Sequence, residues 1–477
     1  MRNDEICYLS AVELVSAIRA KDLSPVEITE AVLERIERLN PVLNAFCTSM
    51  ADEARAAARR AEEAVVHGEE LGPLHGVPVS IKDNLYVKGV RTTFGSKLLE
   101  HNVTAEDAPI IERLRAAGAV LIGRTNSPEF GWKGATDNRV FGITRNPWNL
   151  DLTPGGSSGG ASAAVAAGMG PVGIGTDGGG SVRIPAAFCG LVGLKPSFGR
   201  VPNYPATAVD SLRHTGPLTR TVSDAALVLN VLAGPDERDP NSLPTTERDF
   251  LSELSRGVEG LRIAYSPDLG DAQVEPEVAR LCEQAVIRFT EANATVEKID
   301  LGWGDPYECW RVFFYGGLAA TLEDKLADQG DLLDPDLRKI AEEGLKLRGV
   351  DYVNAQLQRN RYWHKVRLVY DTYDLLITPS LSVPPFSVSQ NDADPLPGQE
   401  PRALLWSPFT YPFNLTGQPA ASVPCGWTAP GAAGDFQLPV GLQIVGRRFD
   451  DWTVLQAARA LEQIQPWADR HPKLPAS

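Results

Sequence analysis

The sequence predicts an α/β fold, and two local patterns carry that prediction. One is a helix running straight into a buried strand: Asp107 to Ala117 reads as a helix, Gly118 as its C-cap and Ala119-Val120-Leu121-Ile122 as a strand. The other runs from strand to helix through glycines. An apolar stretch, Gly170 to Gly175, is followed by Thr176-Asp177-Gly178-Gly179-Gly180-Ser181 and then by Val182-Arg183-Ile184-Pro185-Ala186. A turn of this kind points several backbone N–H groups into one small volume, and the helix N-terminus adds partial positive charge there. A serine at its lip can be a nucleophile with an oxyanion hole in place.

Taken in order, Ser10 before AVELVSAIRA and Ser24-Pro25-Val26-Glu27 before ITEAVLERIERL read as two helix starts. The second has a capping box and a proline in its first turn. An Ala- and Glu-rich segment, about Met50 to Val66, predicts a third helix. Leu74 to Lys82 alternates and is β-branched enough for a strand ending on a lysine. The chain meanders from Arg124 to Thr153, then enters a first serine-bearing glycine run, Gly155-Gly156-Ser157-Ser158-Gly159-Gly160. Ala161 to Gly168, all small residues and valine, reads as a tightly packed helix. After the second run come a strand over Leu191 to Lys195, a loop containing His214, and a helix from Ser223-Asp224 to Leu232. Residues 234 to 250 are polar and turn-rich, the best candidate for an internal boundary. Leu261 to Tyr265 reads as a strand, Glu275 to Ala292 as a helix, residues 303 to 372 as mostly helical, and Asp374 to Thr378 as a strand. Residues 383 to 402, with five prolines, form a loop expected to border the pocket. Leu438 to Gly446 closes the pattern as a strand, and Asp451 is expected to cap a final helix.

Bulk properties narrow the function. With 43% hydrophobic and 22% charged residues, the 477-residue chain has the composition of a globular protein with a sizeable core. A net charge of −15 repels phosphate backbones and anionic lipid surfaces, so neither nucleic acid nor a membrane is expected as a partner. The longest weakly polar run, Ala161 to Gly175, is shorter than the roughly 20 residues that a membrane span needs. Six scattered cysteines without a C-x-x-C pair read as reduced, buried thiols, and no apolar signal-type run follows the charged Met1 to Asp4. A cytoplasmic protein is expected. No residue cluster has metal-ligand spacing, so no metal and no cofactor is expected.

The two glycine runs, with Ser157 and Ser181 separated by 24 residues, and Ile81-Lys82-Asp83-Asn84 upstream resemble the amidase signature family of serine hydrolases. The resemblance extends to Gly76 to Asn84, Gly123 to Glu129 and Leu438 to Gly446, and is weak between about residues 240 and 400. It implies a large mixed, twisted sheet covered by helices on both faces. It also implies one domain over residues 1–477: a helical segment 1–70, a catalytic core 71–235, a variable helical pocket region 240–400 and a C-terminal return to the sheet 401–477.

By the same resemblance Ser181 is the nucleophile, and Ser157 relays its proton to Lys82. A cis peptide joins Gly156 to Ser157, and the backbone N–H groups of Gly178, Gly179, Gly180 and Ser181 form the oxyanion hole. Lys82 can serve as a base only if burial keeps it neutral. At Gly178 the chain departs from the family, where a residue with a side chain is usual; a third glycine loosens the hole or makes room for a larger acyl group. Asp177 and Arg183 flank the hole, either holding its geometry or forming a structural ion pair, and Cys189 reads as structural. The implied substrate is a small-molecule amide. Phe130, Gly131 and Trp132 are candidate pocket residues, and Phe313, Phe314, Tyr315, Trp406, Phe409, Tyr411 and Phe413 add an aromatic character that points to an apolar or aryl amide. Esters and carbamates pass through the same tetrahedral oxyanion. A homodimer is the oligomer the resemblance suggests.

Rival readings exist. The first glycine run satisfies G-x-S-x-G in two registers, which would make Ser157 or Ser158 the nucleophile and require His214, His364 or His471. Gly173-Ile174-Gly175-Thr176-Asp177-Gly178 matches G-x-G-x-x-G, but no suitable acidic strand end follows about 20 residues later. A P-loop is excluded because no lysine follows the glycines. The alternative within the family is a glutamine-dependent amidotransferase component that supplies ammonia inside a multi-subunit complex. The acidic charge and the Arg213-His214-Thr215-Gly216-Pro217 segment favour a stand-alone hydrolase.

Overall fold

The computed structural model describes residues 3–430 and 437–474. In chain order its strands are β1 (Phe46–Ser49), β2 (Pro78–Lys82), β3 (Val120–Thr125), β4 (Asp137–Asn138), β5 (Gly142–Ile143), β6 (Val172–Asp177) and β7 (Val192–Lys195). There follow β8 (His214–Thr219), β9 (Arg262–Tyr265), β10 (Thr295–Lys298), β11 (Leu375–Pro379), β12 (Ala420–Trp427) and β13 (Pro439–Gly446). Eleven of them make one sheet, in the order β1-β3-β2-β6-β8-β7-β12-β13-β11-β9-β10, while β4 and β5 pair separately. Pairings β2–β3, β2–β6, β9–β11 and β9–β10 are parallel and the other six in the large sheet antiparallel, so the sheet is mixed. Helices flank it, as expected of the α/β class.

The helix starts follow their local chemistry. Ser24 caps Pro25–Leu43 through a capping box with Glu27, and Ser10 does the same for Ala11–Ala20 with Glu13. The small-residue helix, Gly159–Ala166, is wholly buried. Its glycines are needed for contact: a Cβ on Gly160 would lie 2.4 Å from the Asn126 backbone nitrogen. A large core joins the sheet to Ala11–Ala20, Val222–Leu232 and Asp451–Ile464 through side chains such as Ile18, Val79, Leu229 and Leu455. A second cluster, rich in aromatics, gathers Phe188, Trp310, Phe314, Trp406 and Tyr411.

Several expectations are corrected. β2 begins at Pro78, because Gly76 takes a φ of 76° that closes a turn ahead of it. The helix expected to Ala292 ends as an α-helix at Ile287 and continues as one 3₁₀ stretch, Arg288–Ala292. His214 does not sit in a loop but opens the buried strand β8. That strand carries Gly216 and Pro217, poor strand formers, yet only glycine fits where a Cβ would come 2.0 Å from the Leu194 carbonyl oxygen. β12 lacks a clear strand pattern because Pro424 interrupts it; the register shifts there between Pro424 and Gly426, and a bulge accommodates the missing N–H.

The cap of Asp451–Ile464 is also corrected. Asp450, not Asp451, is the N-cap and accepts from the Thr453 N–H. Asp451 is fully buried and accepts from the Ser197 N–H at 2.7 Å, the Ser197 hydroxyl at 2.8 Å and Arg200 Nε at 3.1 Å. Urea denaturation should separate the two roles: Asp450→Ala is expected to cost about 1 kcal/mol, as a lost cap. Asp451→Ala, which strands the buried Arg200, is expected to cost roughly 3–5 kcal/mol. Equal losses would refute the distinction.

Candidate active site

The C-terminal end of β2 delivers Lys82 into the molecule. Its side chain is fully buried, with Nζ 2.6 Å from Ser157 Oγ and 3.0 Å from Thr176 Oγ1. Asn84 Nδ2 also donates to Thr176 Oγ1, at 2.9 Å, so two donors occupy both lone pairs of that hydroxyl and fix the direction of Nζ. Burial pushes the Lys82 pKa well below the usual lysine range; the Arg213 charge lowers it further, and Asp177 opposes. A neutral amine with a free lone pair is thus favoured beside Ser157.

Ser157 is itself buried, and the Gly156–Ser157 peptide is cis. Gly131, at φ 72°, passes so close that a Cβ there would lie 3.1 Å from Ser157 Oγ. The two glycine runs meet where the Ser158 N–H donates to the Ser181 carbonyl oxygen at 3.2 Å. Ser158 is not exposed for chemistry, since its hydroxyl is buried and donates to the Thr176 carbonyl oxygen.

The second glycine run is held by one buried ion pair. Arg183 Nε and Nη2 contact the two oxygens of Asp177 at 3.0 and 2.9 Å. The guanidinium also donates to the Thr410 carbonyl, Gln443 Oε1 and Asn414 Oδ1. Burial raises the Asp177 pKa, but the Arg183 charge and hydrogen bonds outweigh it and hold the carboxyl below its ordinary range. Asp177 in turn accepts the N–H groups of Gly180 at 2.8 Å and Val182 at 3.1 Å. The pair is therefore both structural and the clamp on the turn.

This clamp corrects the expectation for Gly180, whose N–H turns inward to Asp177 and not to the cavity. Gly178, Gly179 and Ser181 line the cavity, and their N–H groups meet no acceptor among the described residues. Sequence reasoning missed Trp310. Its indole N–H donates to the Gly178 carbonyl oxygen at 2.9 Å. That carbonyl and the Gly179 N–H belong to one trans peptide, so Trp310 holds the Gly179 donor facing the other way. Thr410 does the same for the next peptide, donating to the Gly179 carbonyl oxygen at 2.6 Å. A Cβ at Gly178 would meet nothing within 4 Å, so its missing side chain leaves open space.

The cavity has a volume of about 350 Å³ and also takes in Phe130, Gly131 and Trp132, as expected. Of the seven aromatics singled out further along the chain, only Phe314 lines it. Phe409 and Phe413 belong to another core cluster, and Trp406 stacks on Phe188 at 5.6 Å between ring centroids. The rival histidines lie elsewhere: His214 Nδ1 pairs with the Leu212 carbonyl, His364 contacts Arg367, and His471 stacks on Tyr8. Gly173 and Gly175 are packing glycines within β6, set against Ala161 and Ser158, not a phosphate loop. Cys189 is structural, its thiol pushed up to about 12 by burial. Among the described residues no group of three or more His, Cys, Asp and Glu could hold a metal ion, and no helix is long and apolar enough to cross a membrane.

Comparison with known proteins places the chain in a family. The family model described as Amidase matches residues 27–455. An acylamidase of Rhodococcus erythropolis is 41% identical, with 99% of this chain and 98% of that protein covered. A glutamyl-tRNA(Gln) amidotransferase subunit of Moorella thermoacetica is 38% identical, over 98% of this chain and 99% of that one. Among solved structures, a bacterial aryl acylamidase of the amidase signature enzymes superimposes with a TM-score of 0.90 at 35% identity, covering 97% of each chain.

The electrostatics of Lys82 can be tested without any substrate. In protein labelled at lysine Cε, a resonance absent from Lys82→Met should titrate well below 10.5 and move upward in Arg213→Gln, because removing the neighbouring cation favours the ammonium form. An ordinary lysine titration at this position would sink the neutral-amine reading.

Proposed function

Since the chain belongs to the amidase family and is a hydrolase of amide C–N bonds, we propose that it acts alone on apolar or aryl amides through an acyl-enzyme on Ser181. The observation that carries this reading is the buried Lys82 amine 2.6 Å from Ser157, which lines the same cavity as Ser181. Neutral Lys82 takes the Ser157 proton as Ser157 takes that of Ser181, whose oxygen attacks the amide carbonyl carbon. The N–H groups of Gly178, Gly179 and Ser181 stabilise the oxyanion, and loss of one such donor typically costs roughly 10²–10³ in rate. Collapse of the tetrahedral adduct returns the proton through Ser157 to the departing nitrogen. Water, deprotonated by the same relay, then releases the carboxylate and restores Ser181.

The aryl preference is supported by Phe130, Trp132, Trp310 and Phe314 along the cavity and by the similar aryl acylamidase. Carbamates and esters fit the same chemistry as side activities. The open space at Gly178 suits a bulky acyl group. No cofactor enters the mechanism. Six free cysteines suit a reducing, cytoplasmic setting, and a homodimer is the assembly we favour. The 38% identity to a component of an amidotransferase keeps one alternative in view, ammonia supply within a multi-subunit complex.

A panel of acyl anilides, primary amides, nitrophenyl esters and aryl carbamates, offered without any partner protein, decides between them. Aryl amides should be cleaved by the wild type, with Ser181→Ala and Lys82→Ala each lowering kcat by roughly 10⁴-fold or more. Activity surviving in Ser181→Ala would move the nucleophile elsewhere, and silence across the panel would support the partnered alternative. Trp310→Phe, which keeps the ring but removes its N–H, should lower kcat by about tenfold, the worth of one positioning hydrogen bond. An unchanged kcat would remove Trp310 from the machinery.

A further inference from the structure

The cavity that holds Ser157 and Ser181 differs in charge from the rest of the chain. The protein carries a net −15, yet among the described residues the cavity is lined by two cations, Lys133 and Arg213, and by no aspartate or glutamate. Lys133 is satisfied, with Nζ 2.7 Å from Asp137 Oδ1 and 2.5 Å from Asn391 Oδ1. Arg213 is not. It is 7% exposed and has no carboxylate within ion-pairing distance among the described residues. Among the described residues its guanidinium makes one hydrogen bond, from Nη2 to the Asn84 carbonyl oxygen, long at 3.5 Å, and its buried Nε has no partner. The nearby Asp210 acts on Arg213 through its charge but forms no ion pair with it, and one of its carboxylate oxygens accepts from the Thr207 N–H and hydroxyl at 2.9 Å each.

A guanidinium offers five N–H donors in a rigid fork and stays charged at any ordinary pH. Withdrawing such a group from water without a counter-charge is costly, so a buried one is expected to be paired. The same chain shows the contrast in Arg183, whose fork is filled by Asp177, Thr410, Gln443 and Asn414. Because Arg213 lines the cavity, a ligand that enters can supply the partner, and a carboxylate fills such a fork in two parallel bonds.

Resting on the Ser181 reading of this site, we infer that Arg213 anchors a carboxylate of the substrate, so that the amides preferred are aryl or apolar amides bearing one carboxylate. Aromatic side chains hold the ring, the guanidinium takes the acid, and the glycine turn meets the scissile carbonyl. Burial is the first cause of the neutrality of Lys82, so pairing Arg213 with a carboxylate leaves the amine free to accept a proton.

Two substrate pairs test the inference, each read as release of the aryl amine. Succinanilic acid against its terminal carboxamide places the charge on the acyl side; 4-acetamidobenzoate against 4-acetamidobenzamide places it on the amine side. In at least one pair the acid should exceed its neutral analogue in kcat/KM by roughly tenfold or more, and the ratio should fall to about one in Arg213→Gln. Comparing ratios within one variant removes any effect of the substitution on the relay. Neutral analogues that match or beat the acids in the wild type overturn the inference, as does a preference that persists in Arg213→Gln. If Arg213→Gln does not fold, calorimetric binding of the same compounds to Ser181→Ala takes its place. There the acid should bind roughly tenfold tighter than its neutral partner and weaken with added salt; equal binding refutes the anchor. Turnover persisting in Ser181→Ala would count against the nucleophile assignment, and the binding comparison would still report on the anion site.

Discussion

The buried pair of Asp177 and Arg183 is the constraint on which the site rests. A glycine-rich turn has little conformational preference of its own, and its backbone N–H groups would otherwise find water. Asp177 takes the N–H groups of Gly180 and Val182, while Gly178, Gly179 and Ser181, whose N–H groups it does not take, line the cavity. Arg183 then ties the carboxylate to the Thr410–Asn414 segment and to Gln443 on β13. A charge pair this deep gives modest net stability, because desolvation offsets the attraction. What it supplies is a single arrangement of the turn.

Around that turn the chain sets two cations to opposite uses. Lys82 is withdrawn from water and forms no ion pair among the described residues, and burial outweighs the opposing charge of Asp177, so the neutral amine is favoured. Arg213 is buried as well, but a guanidinium does not give up its proton under such conditions. One group becomes a proton acceptor and the other a fixed charge, which disfavours the charged form of the amine near it. The aromatic walls deepen both effects by lowering the local dielectric.

How far the site was legible depended on whether a residue's role was local in the chain. Lys82 reaches Ser157, and Ser157 and Ser181 line one cavity; Asp177 and Arg183, six positions apart, meet as their flanking places suggest. Trp310 was not legible, because its partner Gly178 is 132 positions away and a tryptophan in an aromatic helix reads first as core. The Gly180 N–H was misassigned for a related reason: four consecutive N–H groups look equivalent until Asp177 claims one of them. Asp450 and Asp451 are adjacent acids before one helix, and only the position of Ser197 and Arg200 shows which is the cap.

The sequence by itself determined the α/β class and most helices with their caps, because these follow from short-range periodicity and turn chemistry, while the lysine and the two serines were singled out by the resemblance their motifs carry. The tertiary structure alone decided the order of the eleven strands, the place of β8 and β12 in the sheet, and which aromatics wall the cavity. It also decided that Arg213 stands there unpaired. Those outcomes depend on contacts between residues far apart in the chain, where packing and the competition for hydrogen-bond partners override local preference.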